Sequence, residues 1–229
     1  MTDRPALDAA RARRALVARL GARGDVAPAV LGAMGRVPRE RFLPPSQWAA
    51  AYDDRAVPIG HAQSCSQPQI VAAVVTALGL TGSELVLEVG LGCGYQAAVL
   101  RTAGAARLLG IEWVPELAAA ARATLEALQV DEVEVRVGDG GQGAPDRAPF
   151  DAIVVSAAAP RLPPPLLDQL APGGRLIIPL REGPELDRLW LIRRRPGGGW
   201  ETTPLDLCRF VPLVGKFGAS AGPRGPSLK

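Results

Sequence analysis

The 229-residue chain is poor in several residue types, and each scarcity removes a class of function. Lysine occurs only at Lys216 and Lys229, so the positive charge is almost all arginine, and the net charge is a mild +3. With no dense basic run and aromatics at 4%, the chain lacks the electrostatic footprint of a nucleic-acid binder. Arg193, Arg194 and Arg195 read as a solvated strand end. Histidine occurs once, as His61, and the three cysteines, Cys65, Cys93 and Cys208, lie far apart without a CxxC pair. No metal centre is expected from so few ligands. A sparse, odd cysteine count suits a reducing compartment. Long apolar runs are missing too. Arginines at positions 4, 11, 13, 14 and 19 break the N-terminus where a signal peptide needs an apolar core. The longest compact apolar stretch, residues 70–80, is too short to span a bilayer. The expectation is a soluble, cytoplasmic protein with no nucleic-acid or membrane partner.

What is present suffices for a folded unit with a substantial core, since 48% of residues are hydrophobic. Past residue 80, apolar runs alternate with helix-forming stretches. Strands are expected at 85–89, 107–111, 133–137, 150–155 and 175–179, and helices at 96–103, 115–128 and 164–170. Such alternation implies an α/β fold, a mostly parallel twisted sheet with helices on both faces. Later strands at 189–193 and 205–211 would form a hairpin around residues 196–199. Ahead of the core, helices are expected at 4–20, 28–34 and 69–78. Between them lie an irregular stretch (37–54) anchored by Phe42, Trp48 and Tyr52, and an uncharged loop (57–68). The division that follows is a helical, irregular N-terminal extension (1–56), a core domain with a substrate loop (57–217) and a frayed Gly/Pro/Ser-rich tail (218–229).

The most informative stretch is LVLEVGLGCGY, residues 85–95. An apolar strand ends in an acid, Glu88, and glycines follow at alternate positions, Gly90, Gly92 and Gly94. A glycine turn at the carboxyl end of a parallel strand is where open α/β sheets bind nucleotides. The dinucleotide fingerprint is G-x-G-x-x-G. Here the spacing is G-x-G-x-G, and Tyr95 stands where the third fingerprint glycine would be. Glu88 would repel a pyrophosphate but not a ligand bearing an ammonium and a sulfonium. Two further strands also close on acids. One ends in Glu112, which could hydrogen-bond a ribose diol of either kind of nucleotide, and the other runs into Gly138-Asp139-Gly140. The pattern E-x-G-x-G-x-G resembles motif I of class I S-adenosylmethionine-dependent methyltransferases, a Rossmann-like fold. In that class the acid in the position of Asp139 holds the adenine amino group.

A methyltransferase core does not name its acceptor. The loop PIGHAQSCSQP (58–68) is the segment outside the core best placed to do so. Ser66 through Gln69 fits a capping box, with proline in the first helical turn. Ser66 is then either a helix cap alone or a donor to a substrate carboxylate seated at the helix N-terminus.

The chain resembles the bacterial type of protein-L-isoaspartate O-methyltransferase over residues 37–213. The likeness rests on VPRERF (37–42), AYDDRAVPIG (51–60), QSCSQPQIV (63–71), VLEVGLGCGYQAAVL (86–100), VGDG (137–140), APFDAIVVSAAAP (148–160), LAPGGRLIIPL (170–180) and RFVPLVG (209–215). The resemblance implies methylation, from S-adenosyl-L-methionine, of the carboxylate of L-isoaspartyl residues in damaged proteins and peptides, with the ester closing to a succinimide. It makes Ser66 the active-site serine. It assigns Gln63, Ser64, Cys65, Glu88, Gly90, Gly92, Glu112, Asp139 and Gly140 to the cofactor. It assigns Ser66, Cys65, Ala158 and Val211 to the substrate. The chain differs from the usual family pattern by Ser64-Cys65-Ser66 where the family has T-I-S, by Leu91 and Cys93 within the glycine motif, and by Gly141 where an aromatic is frequent. A monomer is expected. One alternative is a same-fold enzyme esterifying aspartate in a ribosomally made peptide; such relatives carry a further C-terminal domain, which the short stretch after FVPL does not suggest. Others are a silent domain that binds altered peptides or the cofactor, and an NAD-dependent oxidoreductase, disfavoured by the glycine spacing.

Overall fold

A computed structural model describes residues 4–184 and 186–218. The expected frayed tail, apart from Gly218, therefore lies outside the described residues. Two helices, α1 (Arg4–Gly21) and α2 (Pro28–Arg36), precede two 3-10 turns at Arg39–Phe42 and Pro45–Ala50. A short hairpin follows, β1 (Val57–Gly60) and β2 (Gln63–Cys65), then α3 (Pro68–Leu78). The core runs β3 (Leu85–Val89), α4 (Tyr95–Ala103), β4 (Arg107–Glu112), α5 (Pro115–Ala127), β5 (Val133–Val137), β6 (Phe150–Val155), α6 (Pro164–Asp168), β7 (Leu170–Arg181), β8 (Asp187–Arg194) and β9 (Trp200–Cys208).

These last strands build one seven-stranded sheet in the order β5-β4-β3-β6-β7-β8-β9. β5 through β7 pair in parallel, and β8 and β9 add antiparallel at the edge. The chain leaves β3 toward β4 on one side and returns as β6 on the other. The carboxyl end of β3 is therefore the switch point, where two loops part and leave a crevice. Side chains alternate along the strands. Val86 of β3 joins one core with Leu16, Val30, Val71 and Val99, so α1 to α5 all pack on that face. Leu87 and Val89 join the other, whose only helical member among the fully buried residues is Leu166 of α6. Helices thus lie on both faces but unequally, with loops doing much of the covering on the second.

The structure departs from the sequence expectations in four places, the first being Trp48, expected as an anchor with Phe42 and Tyr52 but 47% exposed. The stretch 57–68, expected as a loop, holds the β1–β2 hairpin. Its two-residue turn is His61-Ala62, with φ of 51° and 55°, geometry that glycine or asparagine usually announces; without either residue it left no signal. The last strand was expected at 205–211 but begins at Trp200, because pairing with β8 starts straight from the turn (Arg194 opposite Trp200) and ends at Cys208. Val211 is outside it, in a segment that bridges Ala158 to Pro212. The helix expected at 164–170 ends at Asp168, and Leu170 already pairs with Phe150 as the start of β7.

Candidate active site

The crevice at the end of β3 is a partly open cleft, walled by segments 63–66, 88–93, 111–114 and 211–214. Glu88 lies at its inner end. It is on the same strand face as Val86 and only 1% exposed. Its Oε1 accepts from Gln96 Nε2 at 2.8 Å, and that amide nitrogen also donates to Ser156 Oγ at 2.9 Å. Its Oε2 has no partner in the structure. Burial lifts Glu88 to about 8, against the pull of the Gln96 bond, and the nearby Glu112 charge adds to the rise. A buried acid with an idle oxygen lining a cleft is a group prepared for a positive ligand.

Above it, Gly90, Gly92 and Gly94 all have positive φ (79°, 57° and 85°), which is what the alternate glycines are for. The loop does not cradle phosphate. The N–H groups of Gly90 and Leu91 donate to Ile111 O, and that of Gly92 donates to Glu112 Oε2 at 2.7 Å. The backbone donors a pyrophosphate needs are thus spent on β4. Glu112 accepts from Val114 N through its other oxygen at 2.9 Å. Each oxygen keeps a lone pair for the hydroxyls of a ribose.

Ser66 sits between β2 and α3. It does not cap α3: the cap position is Gln67, which makes no side-chain cap bond. Nor does the helix offer free donors for a carboxylate, as the sequence had suggested. Pro68 has no N–H, Gln69 N donates to Asp54 Oδ1 at 2.8 Å, and Ile70 and Val71 N donate to Gln67 O. The distant Asp54 has taken over the capping, so the Ser66 hydroxyl is released into the cleft. It lines both that cleft and an adjoining groove bordered by Gln69, Asp206 and Phe210.

The structure brings together Gln63, Ser64, Cys65, Ser66, Glu88, Gly90, Gly92, Glu112, Gly140 and Val211, all on this one cleft. It does not bring in Asp139 or Ala158. The Asp139 carboxylate accepts from Gly141 N (3.0 Å), Gln142 Nε2 (3.1 Å) and Lys216 N (2.8 Å), and so binds its own turn to the segment past Val214. Ala158 is 1% exposed. Its N–H donates to Val211 O and its carbonyl accepts from Leu213 N, so it holds the 211–213 wall in place rather than facing the cleft. Val211 remains on the cleft, but its carbonyl is committed to Ala158.

Among the cleft residues that escaped the sequence reading are Gln96 and Ser156. Each had a faint signal. Gln96 is the polar residue in an otherwise apolar first turn of α4, and Ser156 is the first polar residue after the apolar end of β6.

The comparisons with known proteins agree with this geometry. The profile of the protein-L-isoaspartate(D-aspartate) O-methyltransferase family matches residues 11–218. The chain is 53% identical over 192 residues to the protein-L-isoaspartate O-methyltransferase of Gloeobacter violaceus, covering 84% of this chain and 93% of that one. A solved protein-L-isoaspartate O-methyltransferase superposes with a TM-score of 0.77 at 27% identity, over 90% of this chain and 67% of its own. A Plasmodium falciparum protein of that name, solved in complex with S-adenosyl-L-homocysteine, shares the fold at a TM-score of 0.75 and 24% identity, over 88% of this chain and 98% of its own.

Proposed function

The chain belongs to the protein-L-isoaspartate(D-aspartate) O-methyltransferase family, and on that premise we propose how its own residues carry the reaction. The activity is transfer of a methyl group from S-adenosyl-L-methionine to the carboxylate of L-isoaspartyl residues in damaged proteins, the opening step of their repair. When bound, the donor supplies a methyl carbon made electrophilic by a sulfonium sulfur.

The residues fit that donor. The idle Oε2 of Glu88 receives its positive end, and Glu112 receives the ribose diol. Gly140 must lack a side chain, since a Cβ there would lie 2.5 Å from Val89 Cγ1. Ser66 donates its hydroxyl to the acceptor carboxylate and orients it, with Cys65 and Val211 beside it. That carboxylate, with an ordinary pKa near 4, is already ionised at neutral pH, so no strong base is needed. Rate comes from holding nucleophile and methyl carbon in line, an effect that can supply several kcal/mol.

The observation that carries this assignment of roles is the release of Ser66 from capping, which leaves a hydroxyl facing the cleft that Glu88 closes. A cytoplasmic setting is supported by three free cysteines. No helix among the described residues is long and apolar enough to cross a membrane. The test is labelled S-adenosylmethionine with a pair of peptides, one carrying normal aspartate and one its isomer. Label should enter only the isomer. Equal labelling of both would favour the aspartate-esterifying reading.

A further inference from the structure

Two of the three cysteines meet inside the cleft, and the methyl transfer needs neither thiol. Cys65 ends β2, and Cys93 sits in the glycine loop; both line the cleft. Cys65 is buried and Cys93 half-buried. The two thiols are near enough that each perturbs the titration of the other. The contact therefore spans two separate elements, the β1–β2 hairpin and the loop after β3. These are closely packed: a Cβ on Gly92 would lie 3.3 Å from Ile59 of β1.

Arg39 supplies the second observation. Its side chain is fully buried, and its Nε, Nη1 and Nη2 have no hydrogen-bond partner. The guanidinium lies 4.7 Å from the centre of the Tyr95 ring, and the groups that feel its charge are the Cys65 and Cys93 sulfurs and Tyr95. A buried cation without an anion is costly. The anion within its reach is a thiolate. The neighbouring Cys93 and then the Arg39 charge draw the Cys65 thiol below its ordinary value, although burial pushes the other way. The neighbouring Cys65, with burial, pushes Cys93 up. The pair is thus asymmetric, with an attacking sulfur and a resolving one.

We propose that Cys65 and Cys93 are an oxidisable pair that a hydroperoxide converts into a disulfide, tying the glycine loop to the hairpin and shutting the donor cleft. The Cys65 thiolate attacks the hydroperoxide oxygen, the O–O bond breaks, and the alcohol or water leaves with a proton taken from solvent. Cys93 sulfur then attacks the resulting Cys65 sulfenic acid, the S–S bond forms, and the hydroxyl leaves as water. Two thiols and one hydroperoxide give one disulfide, one alcohol (or water) and one water. A dithiol reductant reverses it.

The closing role rests on the cleft being the donor site; the thiol pairing does not. The test treats the full chain with hydrogen peroxide, alkylates the remaining thiols and maps the digest, with S-adenosyl-L-homocysteine binding followed by calorimetry. The expected result is a Cys65–Cys93 cross-linked peptide with Cys208 still alkylated. At the same dose, binding should fall more than tenfold, and dithiothreitol should restore it. In Cys93→Ser, compared with its own untreated protein, no cross-link forms and a dimedone adduct marks Cys65. Free alkylation of Cys65 and Cys93 after treatment would overturn the pairing. Cross-linked protein that binds as before would overturn the closing role. Untreated protein that gives no binding heat would instead remove the donor reading, and the closing role with it, while the thiol map stands apart.

Discussion

Glu84 and Glu88 sit at the two ends of one strand and could hardly be treated more differently. Both are buried, at 3% and 1% exposure. Glu84, just ahead of β3, is saturated: Thr81 N and Oγ1, Gly82 N and Arg175 Nη2 all donate to it. Burial pushes it up, but Arg175 and the Thr81–Gly82 turn more than offset that and hold it at about 2. Arg175 in turn reaches the carbonyls of Leu78 and Gly79 at the end of α3, so the acid fastens helix to sheet. Glu88 has one donor and an empty oxygen, and burial carries it to about 8. In an open α/β sheet, ligands bind beyond the carboxyl ends of the strands. Here that rule is visible as chemistry: the amino end satisfies its charge internally, and the carboxyl end leaves a charge for something else.

The comparison breaks first, and with the largest effect, at Glu84. In Arg175→Met the buried carboxylate loses its countercharge, which should cost roughly 3 kcal/mol of stability, read from a shifted denaturation midpoint. Donor affinity of the folded fraction should stay as it was. Glu88→Gln should do the reverse. S-adenosylhomocysteine binding should weaken about 100-fold, equivalent to about 2.7 kcal/mol, while the Tm at pH 8.5 holds or rises. A drop in Tm alone would make Glu88 a second fastener.

The two acids also titrate in opposite senses. Glu84 lies below its ordinary value of 4.5, so its stabilisation is present above pH 4.5 and fades as pH falls toward about 2. Glu88 lies above 4.5, so its favourable contribution is full below that and is lost as pH climbs through about 8. A cationic ligand wants Glu88 ionised, so protons leave as it binds. Affinity should therefore improve by about tenfold per pH unit below 8 and level off above it, measured by calorimetry from pH 6.5 to 8.5. In Glu88→Gln the slope should vanish.

How much of this was readable beforehand divides along the same line. The sheet, its helices and the acids Glu88 and Glu112 were legible, because apolar period and alternate glycines are local signals. The roles of Glu84 and Asp139 were not. Besides donors in their own turns, both carboxylates bind a partner distant in sequence, Arg175 for the first and Lys216 N for the second, and such pairings leave no local trace. Ala158 misled for the same reason: its place in SAAAP is distinctive, yet its backbone is spent on holding Val211 and Leu213. The hairpin turn at His61-Ala62 lacked its usual residues.

The smallest effect makes the sharpest distinction, because it separates two residues that trade one job. The S-x-x-Q pattern says Ser66 caps α3, and the structure hands that role to Asp54, whose Oδ1 accepts from Gln69 N at 2.8 Å. Losing a cap costs about 1 kcal/mol. Asp54→Ala should therefore lower stability by that amount and leave turnover of the isoaspartyl peptide untouched. Ser66→Ala should leave Tm unchanged and slow transfer roughly tenfold, about 1.4 kcal/mol of transition-state stabilisation. If the two variants exchanged phenotypes, the serine would be the cap after all, and the cleft would have to orient its acceptor by the main chain of Val211 and its neighbours alone.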